Sequence, residues 1–92
     1  MAADGEYVSI SGSSGTLGRS DFRSLVKPKK ADLLSREHIW FECDDGQYYI
    51  EDHNSTNGTK VNGSSISGKG RCLLKDGDVV ELGNALELTF NS

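Results

Sequence analysis

Apolar residues along this chain recur in short alternating stretches, not in helical stripes. Val8 and Ile10 alternate with Tyr7 and Ser9. Ile39 and Phe41 alternate with His38, Trp40 and Glu42, and Tyr48 and Ile50 with Tyr49 and Glu51. Leu86, Leu88 and Phe90 alternate with Glu87 and Thr89. Successive side chains of a strand point to opposite faces, so this period of two predicts strands with one buried face. Gly15–Leu17, Thr59–Val61 and Val79–Leu82 predict further short strands. Turn chemistry separates them: Asp44-Asp45-Gly46, Asn62-Gly63, and the run from Lys75 to Asp78. Eleven glycines and the lack of a sustained 3.6-residue period argue against long helices. The pattern predicts an all-β sandwich or barrel forming one domain. Ser20 to Leu34 breaks it, with Pro28 and no clear period, and reads as loop or a short strand around Ser24-Leu25-Val26.

Composition narrows the classes of function. At 92 residues and 35% hydrophobic content, the chain can form one compact core but not a core plus a deep catalytic cavity. A net charge of −4 disfavours nonspecific nucleic-acid binding, which needs a basic face. The charges are segregated, however. Residues 19 to 36 hold six basic side chains against two acids, whereas residues 37 to 59 hold six acids and neither Lys nor Arg. Such a local positive region suits an anionic ligand.

No apolar run is long enough to span a membrane, so no membrane association is expected. Met1 to Glu6 lacks the features of a secretory signal, which predicts an intracellular chain (cytoplasmic or nuclear) with Cys43 and Cys72 reduced. No metal or other cofactor is expected. His38, Cys43, His53 and Cys72 lack paired zinc-ligand spacings, and Asp76-Gly77-Asp78 lacks the remaining ligands of a calcium loop. Catalysis is not expected either. Ser35 and His38 stand three residues apart with no defined nucleophile–base geometry, and neither a nucleophile elbow nor a P-loop is present.

The remaining polar signals fall in loops: Gly18-Arg19 after one strand, Ser35-Arg36-Glu37-His38 before another, and Ser55 to Thr59 with Asn62-Gly63 close behind. Guanidinium groups, hydroxyls, amides and glycine-assisted backbone N–H groups are the donors a phosphate needs, and loops on a rigid sheet are where binding residues gather. Five blocks in order make the chain resemble the forkhead-associated (FHA) domain. They are Gly18-Arg19, Ser35 to His38, Asp52 to Thr59 with Asn62-Gly63, Leu74 to Asp78, and Leu82-Gly83.

The resemblance implies a domain over residues 6–90, folded as a β-sandwich of two antiparallel sheets with binding loops at one end. It implies a monomeric, non-enzymatic module that binds phosphothreonine-containing segments of partner proteins. Arg19 and Ser35 take the positions that contact the phosphate, and Arg36 adds a second guanidinium. Thr56 takes a position that contacts the phosphorylated residue, and Asn57 the position that holds the peptide backbone. His38 takes a structural position, with Gly18, Gly58 and Asn62 shaping the turns around the site. Leu33 stands where some members carry an arginine that reads an acidic ligand residue, so an apolar residue is implied at that place in the ligand, or an acidic one if the loop carrying Lys27, Lys29 and Lys30 reaches the site. The competing reading is an FHA-like domain that binds an unphosphorylated protein through a sheet face, with Trp40 and Tyr49 as contacts.

Overall fold

The computed structural model describes residues 2–3, 6–7 and 14–91. Among these residues, ten strands form two sheets, and every pairing is antiparallel. One sheet runs in the order β2 (Glu6–Tyr7), β1 (Ala2–Ala3), β10 (Leu86–Thr89), β9 (Val79–Leu82), β6 (Thr59–Val61) and β7 (Ser64–Ser65). The other runs β3 (Ser14–Leu17), β4 (Ile39–Asp44), β5 (Gln47–Asp52) and β8 (Cys72–Leu74). The expected two-sheet sandwich is therefore the fold. The alternation proposed for Val8 to Ile10 lies outside the described residues.

The period of two explains which side chains fill the space between the sheets. Ile39, Phe41, Ile50 and Leu74 come from the four-stranded sheet, and Val61, Val80, Leu82 and Leu88 from the six-stranded one; all are buried. Tyr48 joins the two layers, with its ring 5.8 Å from that of Phe41 and 5.3 Å from that of Phe90. The β4–β5 hairpin turns on Asp45 and Gly46, both at positive φ (51° and 76°). That is the geometry whose twist matches paired strands, and Asp-Gly supplies it at low cost. Three short strands escape the sequence pattern: β1 (Ala2–Ala3), β7 with two exposed serines, and β8 with one fully buried residue, Leu74.

Residues 19 to 34, expected to be loop or a short strand, carry three short helical turns separated by extended backbone at Val26 and Lys27. A four-residue helix α1 (Arg19–Phe22) runs into a 3₁₀ turn (Arg23–Leu25), and α2 (Pro28–Ala31) follows. The Asp21 carboxylate accepts the Gly18 backbone N–H at 2.8 Å and starts α1, while Pro28 opens α2, where a missing N–H costs nothing. Phe22, Ala31 and Leu34 anchor the segment in the core, and Lys27, Lys29 and Lys30 stay exposed. Helices of a single turn are too short to show a 3.6-residue period, which is why the pattern reads as irregular.

Candidate functional site

Four loops meet at one end of the sandwich, and the backbone approaches there are unusually close. The loop after β3 lies against the one before β4: Arg19 N–H donates to Ser35 C=O at 3.0 Å, and His38 N–H to Leu17 C=O at 2.9 Å. A Cβ on Gly18 would lie 1.7 Å from the Arg36 carbonyl oxygen and 2.8 Å from that of Ser35. No side chain fits there, so the glycine before Arg19 follows from packing. Gly83, after β9, is confined in the same way. Its φ is +56°, and a Cβ would lie 2.7 Å from Leu33 O and 3.2 Å from both Asn57 Cβ and His38 Cε1.

His38 is 0% exposed and ties two of these loops together. Its Nδ1 lies 3.1 Å from the Ser35 backbone nitrogen and accepts that N–H. Nδ1 therefore carries no proton, the proton sits on Nε2, and Nε2 donates to Gly58 C=O at 2.8 Å. The same carbonyl accepts the Gly83 N–H at 3.0 Å. Both ring nitrogens are thus committed to backbone, and neither touches the Ser35 hydroxyl. The Ser35–His38 spacing forms no nucleophile–base contact.

The loop from Asp52 to Thr59 is built around a buried carboxylate. Asp52, 8% exposed, accepts the Ser55 N–H at 3.2 Å, the Ser55 hydroxyl, and the Thr59 hydroxyl at 2.6 Å. Three donors offset the cost of burying this charge. Asn54 adopts φ 52° in this loop, a left-handed conformation that Asn tolerates better than most residues. Two further bonds tie the loop to the segment before β4: Thr56 N–H to Ser35 Oγ at 3.0 Å, and Asn57 Nδ2 to Leu33 C=O at 2.9 Å.

The outcome is an open groove of about 350 Å³ lined by Arg19, Asp32, Leu33, Leu34, Ser35, Arg36, Thr56 and Asn57. All five residues that the sequence assigns to ligand contact line it. Arg19 is oriented by its Nε–H, shared between Leu34 C=O at 2.9 Å and Ala31 C=O at 3.1 Å. Ser35 Oγ accepts from Thr56, which leaves its own O–H to donate outward. Arg36 and Thr56 are exposed. Two guanidinium groups, two hydroxyls and an amide against the single carboxylate of Asp32 make a wall rich in donors, suited to a ligand that carries only acceptors. Leu33, 36% exposed, adds an apolar surface at the edge.

Of the four residues expected to shape the site, Gly18, His38 and Gly58 hold its loops together. Asn62 does not reach the groove. It stands beyond the opposite end of β6, at φ 50°, where its amide donates to Asp78 Oδ1 at 3.0 Å and accepts the Val79 N–H at 2.9 Å. Asp52 and Gly83 lie within the motif blocks, which by themselves assign neither a role at the site. The Asp-x-x-Ser spacing is a local signal for the first, since a carboxylate commonly accepts from the backbone a few residues on. The crowding at Gly83 is visible only in three dimensions. Lys27, just before α2, and Lys29 and Lys30 within it do not line the groove; Lys30 lines a separate cavity beside Glu81 and Glu87.

Among the described residues, no group of three or more His, Cys, Asp or Glu side chains could hold a metal ion, and Cys43 and Cys72 are free thiols. No helix among the described residues is long and apolar enough to cross a membrane.

Comparison with known proteins bears on the groove. The chain is 38% identical over 78 residues to vacuolar protein sorting-associated protein 64 of Saccharomyces cerevisiae, covering 78% of this chain but 13% of that relative. It spans less than a sixth of the length of the curated relatives it matches. Among solved structures it is similar to an FHA domain studied for phosphothreonine-dependent interactions, with a TM-score of 0.74 and 28% identity over 97% of this chain and 86% of that one. It is also similar to the second FHA domain of an ABC transporter from Mycobacterium tuberculosis, with a TM-score of 0.64 and 33% identity over 98% of this chain and 79% of the other. The family model for the FHA domain matches residues 15–83, from β3 through Gly83. The chain belongs to the FHA-domain family.

Proposed function

We propose that this domain binds phosphothreonine-containing segments of partner proteins in the groove between its loops. FHA domains are protein-interaction modules and not a catalytic family. The observation that carries the reading is the convergence of Arg19, Ser35, Arg36, Thr56 and Asn57 on one groove. At pH 7 a phosphothreonine carries about −1.5 to −2 charge and three acceptor oxygens. Arg19, with Nε held by two carbonyls, presents the rest of its guanidinium to the phosphate, and the Ser35 hydroxyl donates beside it. Arg36 and Thr56 supply further donors, and Asn57 has amide capacity beyond its bond to Leu33 with which to hold the ligand backbone.

Hydrogen bonds to a charged group contribute roughly 1.5–3 kcal/mol each. A micromolar complex requires only about −8 kcal/mol in all, so the phosphate decides whether binding occurs. The threonine methyl and the apolar Leu33 wall set the finer preference, with Leu33 favouring an apolar ligand residue. A degenerate phosphothreonine-peptide library with a phosphoserine counterpart tests this. Enrichment of phosphothreonine peptides with an apolar position to one side is expected. Equal capture of both libraries, or none, would reject it.

A further inference from the structure

The outer surface of the four-stranded sheet carries a second pattern that the groove does not use. Alternation places Trp40, Glu42 and Asp44 of β4 and Tyr49 and Glu51 of β5 on the side away from the core, with Thr16 and Leu73 on the flanking strands. The register sets Trp40 directly opposite Glu51 and Glu42 directly opposite Tyr49. Aromatic rings and carboxylates thus alternate in both directions across two strands. Leu73, opposite Tyr49, is 38% exposed and extends the apolar part.

Half of this checkerboard already holds a guanidinium. Arg71 lies 4.0 Å from the centroid of the Tyr49 ring, and its Nη1 is 2.5 Å from Glu42 Oε2 and 3.3 Å from Asp44 Oδ2. The two carboxylates raise its pKa further. The other half, Trp40 with Glu51, has the same chemistry and no cation: among the described residues, no ion pair involves Glu51. The basic side chains between residues 19 and 36 are on the loop and helical segments near the groove, whereas Glu42, Asp44 and Glu51 are on the strands of this face.

We infer that this sheet face is a second binding surface, one that takes an arginine-bearing segment of a partner protein through Trp40 and Glu51, independently of phosphorylation. A planar guanidinium stacks on a ring while its pre-organised fork meets a carboxylate, as Arg71 does on Tyr49 and Glu42, whereas an ammonium is a compact, strongly hydrated point charge with no plane to stack. Charge complementarity selects a basic partner, and the ring–carboxylate pair of Trp40 and Glu51 favours arginine over lysine.

The inference stands apart from the phosphothreonine reading, and so does its test. Trp40 is the only tryptophan of the chain, so its fluorescence reports this face alone. The unphosphorylated probe peptide acetyl-Gly-Arg-Gly-Arg-Gly-amide is expected to change that emission saturably, and its lysine counterpart to bind at least about threefold more weakly. Glu51→Gln should weaken the arginine peptide by at least about threefold with the unfolding midpoint retained, and saturating the groove with a phosphothreonine peptide should leave the titration unchanged. Amide shifts should concentrate at Thr16, Trp40, Tyr49, Glu51 and Leu73. No fluorescence response would overturn the inference, as would equal lysine and arginine affinity with shifts spread to Glu81 and Glu87. Displacement by the phosphothreonine peptide, or self-association that covers Trp40, would overturn it too.

Discussion

Two Asn-Gly pairs bracket β6, and they do opposite work. Asn57-Gly58 precedes the strand. Its amide reaches across to Leu33 C=O, and its glycine carbonyl accepts from both His38 and Gly83, so the pair is woven into the groove. Asn62-Gly63 follows the strand, both residues lie at positive φ (50° and 84°), and its amide is spent on Asp78 and Val79. One dipeptide joins loops into a binding surface; the other is a hairpin turn braced against the neighbouring strand. Residue type does not separate them. What does is the company each keeps: a buried histidine and a crowded glycine in the first case, an acidic turn in the second.

The contrast is sharpest at His38. Replacing it with alanine removes the two ring bonds by which it links the Ser35 and Gly58 loops and leaves a buried cavity. It should cost about 3 kcal/mol of stability and reduce phosphothreonine-peptide affinity more than tenfold, read by denaturant unfolding and calorimetry. Asn57→Ala leaves the turn conformation possible but takes away the amide in the groove. Affinity should fall about tenfold while stability changes by less than about 1 kcal/mol, since the side chain is exposed. Asn62→Ala should invert that pattern. It loses two hydrogen bonds and puts alanine in a left-handed conformation, so stability should fall by about 1–2 kcal/mol with phosphopeptide affinity unchanged. Were the Asn62 variant to lose affinity while keeping its stability, the division between the two pairs would be wrong.

The smallest effect is a pH dependence confined to the far turn. The Asp78 carboxyl is held below its ordinary range, first by the Lys75 backbone N–H at 2.9 Å and then by the Asn62 amide. A depressed native pKa means that the unfolded chain takes up the proton first as pH falls. The stabilisation is present above the ordinary carboxylate range and is lost as pH drops through the lowered native value. Acid unfolding of Asn62→Ala should show a shallower loss in that window than the parent, with no matching change in Asn57→Ala.

How much of this could be read from the chain alone follows from the range of the interactions. Strands such as Thr59–Val61 and Val79–Leu82 are legible because a period of two is a local consequence of a buried face. The helical turns from Arg19 to Ala31 are not legible, since they are too short to be periodic and are held by Phe22, Ala31 and Leu34 against a core defined elsewhere. The residues that line the groove are recognisable as a set through their order along the chain. Their contacts are not. Nothing near Arg19 in sequence announces that its Nε will be spent on the carbonyls of Ala31 and Leu34, and nothing near Gly83 announces the Leu33 carbonyl 2.7 Å from its missing Cβ. Asn62 shows the reverse case: its place in a motif suggests the site, and its partners put it elsewhere.

The central claim is that a phosphate, seated among Arg19, Ser35 and their neighbours, decides binding. The most direct measurement compares one peptide with and without phosphate on its threonine by calorimetry against the unaltered domain, which avoids any question of variant folding. The phosphorylated form should bind near the micromolar range and the other at least about a hundredfold more weakly, with amide shifts at Arg19, Ser35, Thr56 and Asn57 on binding. Equal affinity for the two forms would contradict it.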